Sequence, residues 1–273
     1  MEQSRKKWIH IAALVVALTL PLAPPLLAGN DVWTGSGSLG GRVSVLAIDP
    51  VERNIIYAAV EFVGILKSVD SGKSWASTTS GLICTQPFSM VIDPNDRKTL
   101  YAGCQEGLYK STNSAATWSI TSLQNSTVRA VAVHPRDSGI LYVGGSGISK
   151  STDGAQTFRP ANSGLSNVGI FAIAVDPVEP NVLFSSGGLG SHIHKSSDGG
   201  ANWTDTQGVF LGGNIVVDPQ DHRIVYAGTS KSIDGGETWL HVFNHCQTGA
   251  YTHLLGFALA IDPIDHNQLY LAA

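Results

Sequence analysis

Apolar residues recur along this chain in short runs that alternate in size. Counting back from an Asp-Pro or His-Pro pair, the first position is Ile or Val (Ile48, Ile92, Val133, Val175, Val217, Ile261) and the third is again large (Leu46, Met90, Val131, Ile173, Ile215, Leu259). The second is only Ala or Val (Ala47, Val91, Ala132, Ala174, Val216, Ala260). Successive strand residues point to opposite faces, so each run predicts a strand with one bulky and one shallow face, suited to nesting between like neighbours. The pairs themselves, Asp49-Pro50, Asp93-Pro94, His134-Pro135, Asp176-Pro177, Asp218-Pro219 and Asp262-Pro263, are 44, 41, 42, 42 and 44 residues apart. Each period holds three further short runs bounded by turn residues, one centred on Tyr, one ending in Lys-Ser and one led by an aromatic. Four antiparallel strands repeated at this period predict an all-β propeller of about six blades.

A second landmark keeps step with the first. Ser68-Val-Asp70-Ser-Gly72-Lys-Ser-Trp75, Ser111-Thr-Asn113-Ser-Ala115-Ala-Thr-Trp118, Ser151-Thr-Asp153-Gly-Ala155-Gln-Thr-Phe158, Ser196-Ser-Asp198-Gly-Gly200-Ala-Asn-Trp203 and Ser232-Ile-Asp234-Gly-Gly236-Glu-Thr-Trp239 are variants of one phrase, each preceded by Lys. Such a box has a purely structural use: Asp or Asn and Ser accept backbone N–H groups in a tight turn, and Gly supplies a positive φ. The closing aromatic is expected to be buried between blades.

These boxes resemble the BNR/Asp-box repeat family, whose pattern Ser-x-Asp-x-Gly-x-x-Trp lies on the hairpin between the third and fourth strands of a blade. The likeness runs from about Trp33 to Ala273. Asn113 and Ala115 in the second box, and Ala155 and Phe158 in the third, depart from the pattern and imply looser turns. The family includes sialidases, xyloglucan-degrading hydrolases, the sortilin ectodomain and the photosystem II assembly factor group, so the resemblance implies architecture rather than activity.

Composition adds limits. With 43% hydrophobic and 14% charged residues and a net charge of −4, the chain has neither the basic surface expected of a nucleic-acid binder nor the polarity of a disordered one. Arg5, Lys6 and Lys7 precede an apolar stretch ending in prolines and Ala28-Gly29. Residues 1–28 are therefore expected to be a signal peptide, with an uncleaved anchor over 8–28 as the alternative. The propeller occupies 29–273, and the protein is expected to be exported, meeting a membrane only through an uncleaved leader. The last repeat stops before any Lys-Ser box, so its blade is expected to be incomplete, the chain a truncation or fragment, with Asp31-Val-Trp33-Thr34 able to supply a closing strand.

Asp-Pro turns and box turns fall on one face of a propeller; the more variable connections, which can carry function, fall on the other. Arg129 stands there in the slot filled elsewhere by Ser44, Phe88, Phe171, Gly213 and Phe257, and could hold a carboxylate or peptide group; Arg42, Gln86 and Glu106 are its candidate companions. Cys84 and Cys104 flank a hairpin and could pair in an exported chain, leaving Cys246. His241, His245, Cys246 and His253 match no trusted zinc spacing, and no metal or other cofactor is expected. A glycosidase usually needs two facing carboxylates, but outside the turns and boxes only Glu61, Glu106 and Asp205 stand out as loop candidates. The sequence therefore favours an exported noncatalytic binding or assembly propeller for a protein or glycan, with no catalytic residue nominated. The alternative is a sialidase-like or xyloglucanase-like glycoside hydrolase, or a fragment of one.

Overall fold

The computed structural model describes residues 42–165, 169–188, 191–209, 213–242, 258–262, 265–266 and 268–272. The expected leader, the Trp33 segment, Phe257, His245, Cys246 and His253 lie outside these residues.

The described chain is all β. Blade 1 comprises Val43–Ile48, Ile56–Val60, Gly64–Ser68 and Ala76–Ser77; blade 2, Pro87–Ile92, Leu100–Cys104, Gly107–Ser111 and Ser119–Gln124; blade 3, Ala130–Val133, Leu141–Gly144, Ile148–Ser151 and Arg159–Pro160. Blade 4 comprises Ala172–Val175, Leu183–Ser186, His192–Ser196 and Thr204–Val209, and blade 5 Ile215–Val217, Val225–Ala227, Ser230–Ser232 and Leu240–His241. Blade 6 shows two strands among the described residues, Ala258–Ile261 and Leu269–Ala272. Each blade is an antiparallel meander, and the first strand of each lies beside the first strand of the next.

The size alternation of the inner strands packs as expected. Val131 and Val133 of blade 3 lie in one buried cluster with Tyr101 and Leu108 of blade 2, and Ile215 and Val217 of blade 5 with Phe184 and Ile193 of blade 4. Core therefore sits between sheets rather than within one. Trp118 and Trp203 are buried there, and their indole N–H groups donate to the Thr78 and Ala161 carbonyls of the preceding blade, both at 2.9 Å. Trp239 donates to Thr206 Oγ1 at 3.0 Å and meets Phe184 edge-on.

All five boxes share one hydrogen-bond pattern. The Ser hydroxyl donates to the Asp or Asn side chain at 2.7–2.9 Å and accepts the N–H of the residue in the Gly slot at 2.8–3.0 Å. The looser turns expected at the second and third boxes are not found. Ala115 and Ala155 adopt φ of 69° and 73°, close to the 82–87° of Gly72, Gly200 and Gly236. An isolated Ala tolerates this region at about 1–2 kcal/mol, and both methyl groups are buried against the preceding blade. What the third box lacks is an indole N–H, because Phe158 has none.

The lysine before each box also links blades. Lys67, Lys110 and Lys150 donate to the carbonyls of Ser114, Gly154 and Gly199 in the next box at 3.2, 2.8 and 2.7 Å, and Lys195 reaches Glu237 at 2.6 Å. Lys67, Lys110, Lys150 and Lys231 lie opposite Tyr57, Tyr101, Tyr142 and Tyr226, with the ammonium 5.1–5.5 Å from the ring centre. The recurrent Tyr and Lys are thus one device, a cation held over a ring and aimed at the neighbouring turn.

Box geometry makes a prediction about acid. The side-chain hydroxyls of Ser74, Thr157 and Thr238 are the main cause holding Asp70, Asp153 and Asp234 at about 2, and the Asn202 N–H does the same for Asp198. Folded-state values below the ordinary 3.8 mean that ionised boxes stabilise the fold above about pH 4, and that this contribution disappears as pH falls through about 2. Urea midpoints measured from pH 5 to pH 2 should fall, and less steeply in Asp153→Asn, which carries the amide that Asn113 supplies naturally in box 2. A flat wild-type profile over that range would contradict the account.

Candidate functional site

Asp-Pro turns and box turns meet on one face: the N–H groups of Ser71, Ser114, Gly154, Gly199 and Gly235 donate to the carbonyls of Asn54, Lys98, Gly139, Asn181 and Arg223. The opposite face carries the turns after each second strand and the connections between blades. There the four candidate residues separate into three places.

On blade 1, Arg42 lies 3.8 Å from Glu61, which begins the turn after the second strand. On blade 2, Glu106 occupies the matching turn. Thr85 Oγ1 donates to Glu106 Oε1 at 2.5 Å, and the Thr85 carbonyl accepts the N–H of Phe62 at 2.9 Å, so one threonine ties the blade 1 turn to the blade 2 turn. Glu106 Oε2 is enclosed without a hydrogen-bond partner. Gln86 lies beside them, its carbonyl accepting the Gln105 N–H at 3.3 Å. Cys84 and Cys104 form a disulfide with Cα atoms 5.7 Å apart, fixing the inter-blade connection to the second strand of blade 2. Both sulfurs lie within 4.8 Å of a Glu106 oxygen, but bonded to each other they offer a metal no thiolate.

Arg129 stands apart from this group. Its guanidinium is placed between two aromatic rings, 4.9 Å from the centre of Phe88 on blade 2 and 4.5 Å from that of Phe171 just before blade 4. The three residues occupy the same slot of three successive repeats, so the stack forms when equivalent positions converge around the axis. Phe171 keeps 44% of its surface exposed. Cation–π contact of this kind is worth about 0.5–1 kcal/mol per ring when exposed and more when dry. It also fixes the plane of the guanidinium, leaving its N–H edges for a ligand.

The sequence singled out Arg129 but treated Phe88 and Phe171 as ordinary strand residues; their shared slot was the signal available. It also gave no role to His192, whose Nδ1 lies 2.5 Å from Asp205 Oδ2. Burial opposes the charge of Asp205, but His192 and the Gln207 N–H outweigh it and hold the carboxyl below its ordinary range. His241 Nδ1 lies 3.2 Å from Thr229 Oγ1, tied into blade 5.

No protein-family profile matches the chain. Among curated proteins it is 33% identical over 153 residues to a xyloglucanase of Hypocrea jecorina, covering 49% of this chain and 18% of that one. It is 28% identical over 259 residues to a xyloglucanase of Paenibacillus sp, covering 83% and 22%. An oligoxyloglucan-reducing end-specific xyloglucanase of Emericella nidulans is 25% identical over 235 residues, covering 74% and 28%. The chain thus spans between about a fifth and a little over a quarter of the length of these relatives. Among solved structures, the Niastella koreensis GH74 enzyme aligns with a TM-score of 0.63 at 21% identity, over 84% of this chain and 43% of that one. YCF48 bound to D1 peptide aligns at 0.55 and 17%, over 77% and 71%. At these identities the structural likeness concerns the fold, a β-propeller.

These relatives overturn the expectation of a noncatalytic binding or assembly propeller, because the curated proteins matched are hydrolases. That expectation rested on a shortage of paired carboxylates. In a propeller, site residues come from turns of different blades, and a chain spanning a fraction of its relatives' length gives no inventory of their carboxylates. In sequence the chain is similar to xyloglucanases over part of their length, and its fold is a β-propeller.

Proposed function

We propose that this chain is a propeller segment of a glycoside hydrolase acting on xyloglucan, with the face bearing Arg42, Gln86, Glu106 and Arg129 turned toward the glycan. The observation that carries this is the xyloglucanase match extending over 83% of the chain. The geometry is compatible with it. Phe88, Arg129 and Phe171 offer a partly apolar surface beside N–H donors, which suits a sugar ring with its hydroxyls. Glu61 and Glu106 place carboxylates on corresponding turns of neighbouring blades, and glycosidic hydrolysis ordinarily uses two, one donating a proton to the leaving oxygen and the other acting as base or nucleophile. Export through residues 1–28 belongs to the same proposal, since a polysaccharide of this size is met outside the cell.

Affinity electrophoresis of the full chain in gels containing xyloglucan or starch tests binding, and release of reducing ends from xyloglucan tests cleavage. Retardation by xyloglucan alone is expected, with affinity reduced at least tenfold in Arg129→Ala and Phe171→Ala. Cleavage should be lost in Glu106→Gln with binding kept. Neither retardation nor release in the folded wild-type chain would overturn the proposal.

A further inference from the structure

Away from the Arg129 stack and the Glu106 carboxylate, a cleft of about 220 Å³ lies between blades 2 and 3. Two features of the chain open it. The fourth strand of blade 3 is two residues long and stops at Pro160, whereas those of blades 2 and 4 run for six. Past Pro160 the Asn162 side chain stands in for the missing strand, its Oδ1 accepting the Ile148 N–H at 2.6 Å. Ser149 is the second feature. It occupies the slot two residues before the box serine, filled in blades 1 and 2 by Leu66 and Tyr109, both buried. A small residue where a large one is accommodated leaves the space open.

The lining has a definite chemical character. Its base is apolar, formed by Val128, Val143 and Ile148, each 3% exposed or less. Around it stand the Asn162 amide and the hydroxyls of Ser126, Ser146 and Ser149, which bond to none of the described residues. No charged side chain among the described residues lines it. A charged ligand would find no counter-ion there, and a wholly apolar one would leave the polar groups unmatched. A sugar ring suits both parts, with C–H faces for the base and hydroxyls that donate and accept as those of serine do. The volume is below the roughly 300–1,000 Å³ of pockets for drug-sized ligands, which limits the occupant to about one ring.

The cleft also borders the candidate site. Ser126 and Thr127 belong to the connection that leads to Arg129. Within it the Asn125 N–H donates to the Glu106 carbonyl at 2.8 Å, and Thr127 Oγ1 to the Gln105 carbonyl at 3.4 Å. Residues 125–129 thus join the cleft, the Glu106 turn and the stacked guanidinium. We infer that the cleft is a subsite for a single uncharged sugar ring, a branch of the polysaccharide whose main chain crosses the Arg129 stack, an assignment that rests on the reading above for the polysaccharide it names.

Ser149→Tyr is the test variant, because it fills the cleft with the side chain that blade 2 carries in the same slot. Ser126→Trp, at the rim, is a second plug, and circular dichroism verifies that both fold. Saturation-transfer NMR of the full chain with free xylose, glucose and glucuronate reads the cleft directly. Transfer to the two neutral sugars and not to glucuronate is expected, reduced at least fivefold by either plug. No transfer to the neutral sugars, equal transfer to glucuronate, or transfer unchanged by both plugs in folded chains would overturn the inference. Xyloglucan gels run on the same proteins separate this from the reading above. Retardation of the wild type should weaken at least tenfold with either plug; full retardation in both plugged chains would overturn the cleft and leave that reading standing. No retardation, with sugar transfer that the plugs remove, would overturn that reading and support the cleft.

Discussion

Replacing Trp203 with Ala is expected to lower stability by about 3–5 kcal/mol, the range for deleting a buried tryptophan. The ring is 3% exposed, packs with Tyr142, Ile148 and Ala161 of blade 3 and with Ile170 and Leu183 beside it, and its N–H donates to the Ala161 carbonyl. Truncation therefore opens a cavity between two blades and strands a buried acceptor. Urea unfolding of the wild type and variant measures the loss. Trp75 is the internal control. It closes the first box but is only half-buried, packed against Val60 and Leu66 of its own blade. Trp75→Ala should cost clearly less, and equal losses at the two positions would show that inter-blade burial is not what the aromatic contributes.

Gly164→Ala is expected to cost about 3 kcal/mol, for two reasons that add. Gly164 sits at φ +85°, where an L side chain is strained by about 1–2 kcal/mol. A Cβ built there falls 2.0 Å from the Trp203 carbonyl oxygen, so the backbone of one blade must move away from the next, a packing conflict of about 1–3 kcal/mol. Gly235 separates the two effects: its φ is +73°, but a Cβ meets nothing within 4 Å. Gly235→Ala should therefore show the conformational cost alone. If both variants lose the same stability in urea, the close approach at Gly164 is not limiting.

The candidate face was less legible than the fold. Arg129 could be chosen from sequence because it breaks the pattern of its slot, and Glu106 because few carboxylates fall outside the turns. Their surroundings could not be chosen. The rings beside Arg129 belong to residues about forty positions away on either side, and a Phe in an inner strand is an unremarkable apolar residue until the neighbouring blade brings a guanidinium to its face. The same holds for Thr85, a polar residue between two turns until it is seen to bind one with its hydroxyl and the other with its carbonyl. The shortage of paired carboxylates pointed away from hydrolysis because charge counts carry no geometry; kinship with xyloglucanases pointed toward it.

By itself, the sequence determined what depends on near neighbours in the chain. Alternation of large and small residues specifies strands with unequal faces, Asp-Pro and the Ser-Asp-Gly boxes close turns through hydrogen bonds spanning two to four residues, and their common period sets how often a blade recurs. Only the tertiary structure decided which groups meet across blades: Lys onto the next box, Arg97 onto Asp49, His222 and His266 onto Asp176 and Asp218, Arg129 between two phenylalanines, and Cys84 with Cys104. Most of these contacts join residues forty or more positions apart, and whether they form depends on how far each sheet is turned and shifted against its neighbour. That relation is set by the packing of whole faces and leaves no trace in any single repeat.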